Sequence, residues 1–203
     1  MIRRYLLHER LAVRFVALCG LGLVGMYASW ALAYALLPEA ALRGKSIAVA
    51  IATDEALGSV TAEFIRIAAI NLAVATFCVV LPNRMLHVNG YPLGYLPPLL
   101  WFVYYGALLG SNSFAIPLPH RLPPSLAVFA RSGPYEIAAY CLVAASTHAI
   151  AVASSPRFFS LASRPVEPRP LFMEGIDKRG IAAGVLMLLA ANLWEAYRIV
   201  LGF

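Results

Sequence analysis

Charge is scarce in this chain. Of its 203 residues only 13% are Asp, Glu, Lys or Arg and 61% are hydrophobic, whereas a water-soluble domain has about 25% charged residues. So little polar side chain excludes a fold wetted on all sides. Cysteine is scarce too: Cys19, Cys78 and Cys141 each lie in an apolar run, at spacings that fit no metal or redox motif. No disulfide framework is suggested, and the thiols read as small hydrophobes. Also missing are a Ser/His/Asp trio, a phosphate-binding glycine loop, a metal-ligand cluster and any tandem repeat, so the chain reads as non-enzymatic, with no metal and no cofactor expected.

What the sequence has is long apolar runs, with a mean hydropathy of +0.75. A helix crosses a hydrocarbon core in roughly 20 apolar residues. Five segments qualify, at residues 15–37, 64–81, 93–110, 134–153 and 181–201. They predict an all-α, polytopic membrane helix bundle of one domain, residues 1–203. The first segment follows a basic stretch, but it exceeds the ~7–15 residues of a secretory h-region and so reads as an uncleaved span. The net charge of +6 is explained by arginines flanking spans, not by nucleic acid. With the N-terminus inside, ten of the sixteen basic residues fall on the cytoplasmic side and six outside. That bias predicts N-in, C-out in a cell membrane, the bacterial inner membrane first, with membrane lipids as neighbours. Of the connections, residues 38–62 form an outer loop in which residues 46–56 read as a short interfacial helix. Residues 156–178 are Pro-rich and irregular.

In this topology acids from three helices share one outer layer. Glu63 and Arg66 open the second span, Glu136 opens the fourth, and Glu195 and Arg198 close the fifth, with Asn71 and Asn192 a little deeper. Lipid does not solvate charge, so such groups turn toward the bundle interior, and an inter-helix polar network of these seven residues is expected. Each also has a local explanation. With Gly133 as N-cap and Pro134 first in its helix, Glu136 would stand third, where a carboxylate favours the positive helix end. Glu63–Arg66 and Glu195–Arg198 are i, i+3 pairs. His148 is read as lying well inside the fourth span, making one interhelical hydrogen bond or, failing that, ligating a cofactor.

The stretches Asn89-Gly90-Tyr-Pro-Leu-Gly94, Phe64-Ile-Arg-Ile-Ala-Ala-Ile-Asn71, Ser132-Gly-Pro-Tyr-Glu136-Ile and Trp194-Glu195-Ala196 together resemble, in order, elements of the stage II sporulation protein M family of integral membrane proteins. The similarity covers roughly residues 60–203, and Ser132 and the glycine-poor second span depart from it. The resemblance implies a non-catalytic scaffold or accessory subunit that holds other integral membrane subunits in a larger assembly. Gly90, Gly94, Gly106 and Gly110, preceded by Asn89, recur at four-residue spacing near and within the third span, a pattern that permits close helix packing. Two other functions stay open: a permease-like component moving a small ion or polar solute past the outer-leaflet acids, and a cofactor-carrying subunit of a respiratory or photosynthetic complex using His148.

Overall fold

The computed structural model describes residues 2–45, 57–114, 118, 120–123, 125–129, 131–157 and 162–202. Residues 46–56, read above as an interfacial helix, lie outside them. The described chain is mostly helical, and four of its helices are long and apolar enough to cross a membrane: Leu11–Leu36, Val60–Met85, Leu93–Gly110 and Lys178–Leu201.

In chain order a short α1 (Arg3–Leu6) precedes α2 (Leu11–Leu36). The second long helix starts as α3 (Val60–Val74), widens into a π-helical stretch at Ala75–Val80, and finishes as α4 (Leu81–Met85). This corrects the expected stop at residue 81. Pro82 has no N–H to give its helix, but it falls at the start of α4 directly after the widened turn, so the helix passes through it. A hairpin, β1 (His87–Val88) and β2 (Tyr91–Pro92), leads through a 3-10 turn (Leu93–Tyr95) into α5 (Leu96–Gly110). Then follow α6 (Leu126–Phe129), α7 (Gly133–Ser146), β3 (Ala153–Ser155), β4 (Arg164–Pro165) and α8 (Lys178–Leu201). The strands make one small sheet in the order β2-β1-β3-β4 at one end of the bundle.

Asn89 and Gly90 serve this sheet, not helix packing. Both have positive φ, 51° and 80°, as the two-residue turn of a tight hairpin requires, and Asn89 N–H donates to Ser155 O at 2.8 Å. The other three glycines do sit at close contacts. A Cβ on Gly94 would strike the Val79 carbonyl and Asn83; on Gly106, the backbone of Met26 and Ser29 Oγ; on Gly110, Trp30 O and Ala33. Gly106 and Gly110 thus let α5 lie against the backbone of α2.

The largest correction concerns the fourth segment. The expected span, residues 134–153, contains a helix of only 14 residues, Gly133–Ser146, about 21 Å long at 1.5 Å per residue and short of a ~30 Å hydrocarbon core. Residues 147–152 leave the helix. Nine residues of α7 are buried, and α2, α5, the π-helical stretch and α8 all contact it. Helix α7 is therefore a central element enclosed by longer ones. A helix can end inside a membrane protein where other protein surrounds its end, and here the carbonyls of its last turn are bonded. Ala144 O accepts from Asn83 Nδ2 at 3.0 Å, Ala145 O from Arg14 Nε at 3.1 Å, and Ser146 O from Asp177 N–H at 2.9 Å. Outward, by contrast, the long helices show apolar side chains: Val16, Val24 and Leu36 of α2, Ile65 of α3, Phe77, Leu100 of α5 and Leu186 of α8 are all exposed, a surface suited to lipid.

The α2–α5 contact yields a measurable expectation. Gly110→Leu should lower stability by about 1–3 kcal/mol through overpacking, seen as a lower unfolding temperature in detergent. Gly20→Leu, on a face with no neighbour within 4 Å, should leave that temperature nearly unchanged.

Candidate functional site

Helix α8 runs antiparallel to both α3 and α7. Its N-terminal Gly180 meets Ser146 at the end of α7, and its C-terminal half carries Asn192 and Glu195 back to the level of Asn71 and Glu136. Asn71 Nδ2 donates to Asn192 Oδ1 at 2.7 Å, joining α3 to α8. Asn192 is wholly buried. The Glu136 carboxyl lies near Glu195, Ser132 and Asn71, so α3, α7 and α8 meet at one polar centre. Tyr105 of α5 adjoins it, interacting electrostatically with Arg131, Glu136, Arg198 and Glu195. Three buried polar atoms here have no hydrogen-bond partner: Glu136 Oε1, Asn192 Nδ2 and the Tyr105 hydroxyl.

Of the three acids expected to converge, Glu63 stands apart from the other two. Glu63 is fully buried, but its partners among the described residues are Arg66, through a short ion pair, and Leu57 N–H at 3.3 Å. Eight residues separate Glu63 from Asn71, about 12 Å along the helix axis, so its carboxylate is neutralised on its own helix, one layer away from the pair. Glu136 stands fourth in α7 rather than third, because Ser132, not Gly133, is the N-cap. Its backbone N–H bonds Ser132 O at 3.1 Å, and its side chain turns inward to Glu195.

A second polar layer at the opposite end of α7 escaped sequence reasoning. Arg14, read as one more flanking arginine, is 2% exposed and donates to Ala145 O, His8 O at 2.5 Å and Glu9 O at 2.7 Å. Asn83, also buried, donates to Thr147 Oγ1 at 2.8 Å and accepts from Gly94 N–H at 2.7 Å. The only sequence signal was a polar residue beside Pro82 facing a later glycine. His148 belongs to this layer and not to the middle of a span: it follows the end of α7, and its carbonyl contacts His87 Nε2 at 2.7 Å. Burial, together with Arg14 and His87, holds the His148 imidazole down at about pKa 4, and burial lowers His87 as well. No cluster of three or more metal-ligating side chains occurs among the described residues. No family model, curated protein or solved structure matches the chain.

Two expectations follow from these layers. In a double-mutant cycle on Asn71→Ala and Asn192→Ala, unfolding in detergent should give a coupling of roughly 0.6 kcal/mol and no more than about 1.7, the range for interhelical hydrogen bonds in membranes. For His148 the folded pKa lies below its unfolded value of 6.5, so its contribution to stability is intact above pH 6.5 and is lost as pH falls toward 4. Thermal unfolding should therefore drop across that window, and His148→Asn should flatten the drop.

Proposed function

We propose that this chain is a non-catalytic integral membrane scaffold or accessory subunit of a larger membrane assembly. In this reading it has five membrane segments, α7 being the short enclosed one, with the N-terminus inside and the C-terminus outside, in a bacterial inner membrane. The basic-residue bias supports that orientation, and the ordered likeness to the stage II sporulation protein M family supports the scaffold role.

One structural observation carries the proposal. Along α7 and α8 runs a groove of about 410 Å³ lined by Phe129, Tyr135, Met187, Ala190, Ala191 and Trp194. Alanines line it beside Tyr135 and Trp194, which stay about half exposed. Small residues let another helix approach closely, and exposed Tyr and Trp are the side chains that anchor protein contacts. The fitting occupant is a transmembrane helix of a partner subunit. A second reading, a permease-like component, is favoured by the Glu136–Glu195 centre.

Mild-detergent purification from native membranes tests the first reading. An integral membrane partner should travel with the chain at fixed stoichiometry and be lost in Ala190→Trp, while the reconstituted chain alone moves no solute. A monodisperse monomer with nothing bound in native membranes would overturn it, and solute flux through the chain alone would favour the second reading.

A further inference from the structure

A second cavity, of about 120 Å³, opens where α1 meets the hairpin. Leu6 of α1, Val88 and Tyr91 of the hairpin, and Leu93, Leu96 and Leu99 leading into α5 line it, and none of them is charged. Its level follows from the packing of α2 on α5. Phe102 lies against Gly22, Gly106 against Met26 and Gly110 against Trp30, so the two helices run parallel, with α1 and the hairpin together at their starting end. Helix α2 has 26 residues and is about 39 Å long, more than a ~30 Å hydrocarbon core. Its ends therefore reach the headgroup layer.

The cavity is built by specific bonds and carries a cation on its rim. The Tyr95 hydroxyl donates to Leu6 O at 3.2 Å, and Arg14 Nη1 donates to His8 O and Glu9 O; together they hold α1 in place. The Arg3 guanidinium lies 6.0 Å from the centroid of the Tyr91 ring that lines the cavity. Gly90 leaves room for it, since a Cβ there would stand 3.1 Å from Arg3 Nη2. Arg3 is exposed and in no ion pair among the described residues, whereas Arg4 turns onto Tyr5, donating to its hydroxyl at 2.8 Å. On the outer face of α5, Leu96, Leu100 and Val103 are exposed at helical-neighbour spacing, so an apolar track runs from the lipid to the cavity. We propose that this cavity is a site for one anionic phospholipid, its acyl chain following α5 into the pocket and its phosphate pairing with Arg3.

Charge selects the headgroup. Residues 2–14 hold four arginines, Arg3, Arg4, Arg10 and Arg14, against one acid, Glu9, and basic side chains at the membrane surface attract anionic lipid. A free phosphate would satisfy Arg3 but leave the apolar cavity empty; a lipid answers both. The site goes beyond the scaffold reading and stands without it, because the lipid needs no partner subunit and binds whichever side of the membrane α1 faces.

Photolabelling of the full chain in vesicles of mixed phosphatidylcholine and phosphatidylglycerol tests the proposal. The probe is phosphatidylglycerol carrying a diazirine in one acyl chain, compared with phosphatidylcholine carrying the same chain. The glycerol lipid should label residues 93–103 about fivefold more than the choline lipid, the ratio supplied by one arginine at the surface. Arg3→Gln should erase that excess and Arg4→Gln should keep most of it; both side chains are exposed, and labelling of the other long helices should be the same in both variants. Equal labelling by the two lipids, an excess spread over every long helix, or an excess that survives Arg3→Gln overturns the proposal. So does an equal loss in Arg4→Gln, which would assign the preference to diffuse surface charge. Loss of the excess on adding inorganic phosphate at constant ionic strength also overturns it, assigning Arg3 to a soluble anion.

Discussion

The bundle depends on how the last turn of α7 is closed. A helix that ends inside a membrane protein leaves carbonyl oxygens without partners, and each one unbonded in an apolar setting costs several kcal/mol. Here three consecutive carbonyls, those of Ala144, Ala145 and Ser146, are taken by Asn83 of α4, Arg14 of α2 and the N–H of Asp177 at the start of α8. Three long helices are thereby tied to one short one. The Asp177 side chain then caps α8 through Gly180 N–H at 3.0 Å, so the place where α7 stops is also the place where α8 begins.

Along α7 the polar groups fall into two layers, one at each end of the helix. Near the start of α7 lie Asn71, Asn192, Glu136 and Glu195; near its end lie Arg14, Asn83 and Thr147. Between them α7 buries the small Ala139, Cys141, Val143 and Ala144 beside the bulkier Ile137 and Tyr140. Small side chains let backbones come close, and interhelical hydrogen bonds then set which way each helix faces.

Much of the architecture was legible from apolar run length, because a lipid-facing helix must be apolar for its whole crossing. The third segment, residues 93–110, coincides with the observed helix, and the first and last differ by a few residues at their starts. The fourth segment was misread because hydropathy no longer reports helix length where protein replaces lipid. The run from Ile137 to Ala153 stays apolar after its helix has ended at Ser146. The depth match of Glu136 and Glu195 was visible because alternating helix directions fix it; the separation of Glu63 was not, since two helical turns look small in a sequence. Arg14 was illegible for a different reason. A basic residue beside a span usually marks the cytoplasmic border, and only the position of α7 shows that this one turns inward.

The widened turn at Ala75–Val80 has a geometric consequence. Asn71 and Asn83 are twelve residues apart on one long helix, and at 3.6 residues per turn they would point roughly 120° away from each other. A π-helical stretch acts like one surplus residue wound into the ladder, which sets the downstream part back by about 100°. The two amides then differ by only roughly 20°, and both look into the bundle, one toward α8 and the other toward α7. A single supernumerary residue acts as a phase corrector, letting one rod address two partners that a uniform helix would have presented on different sides.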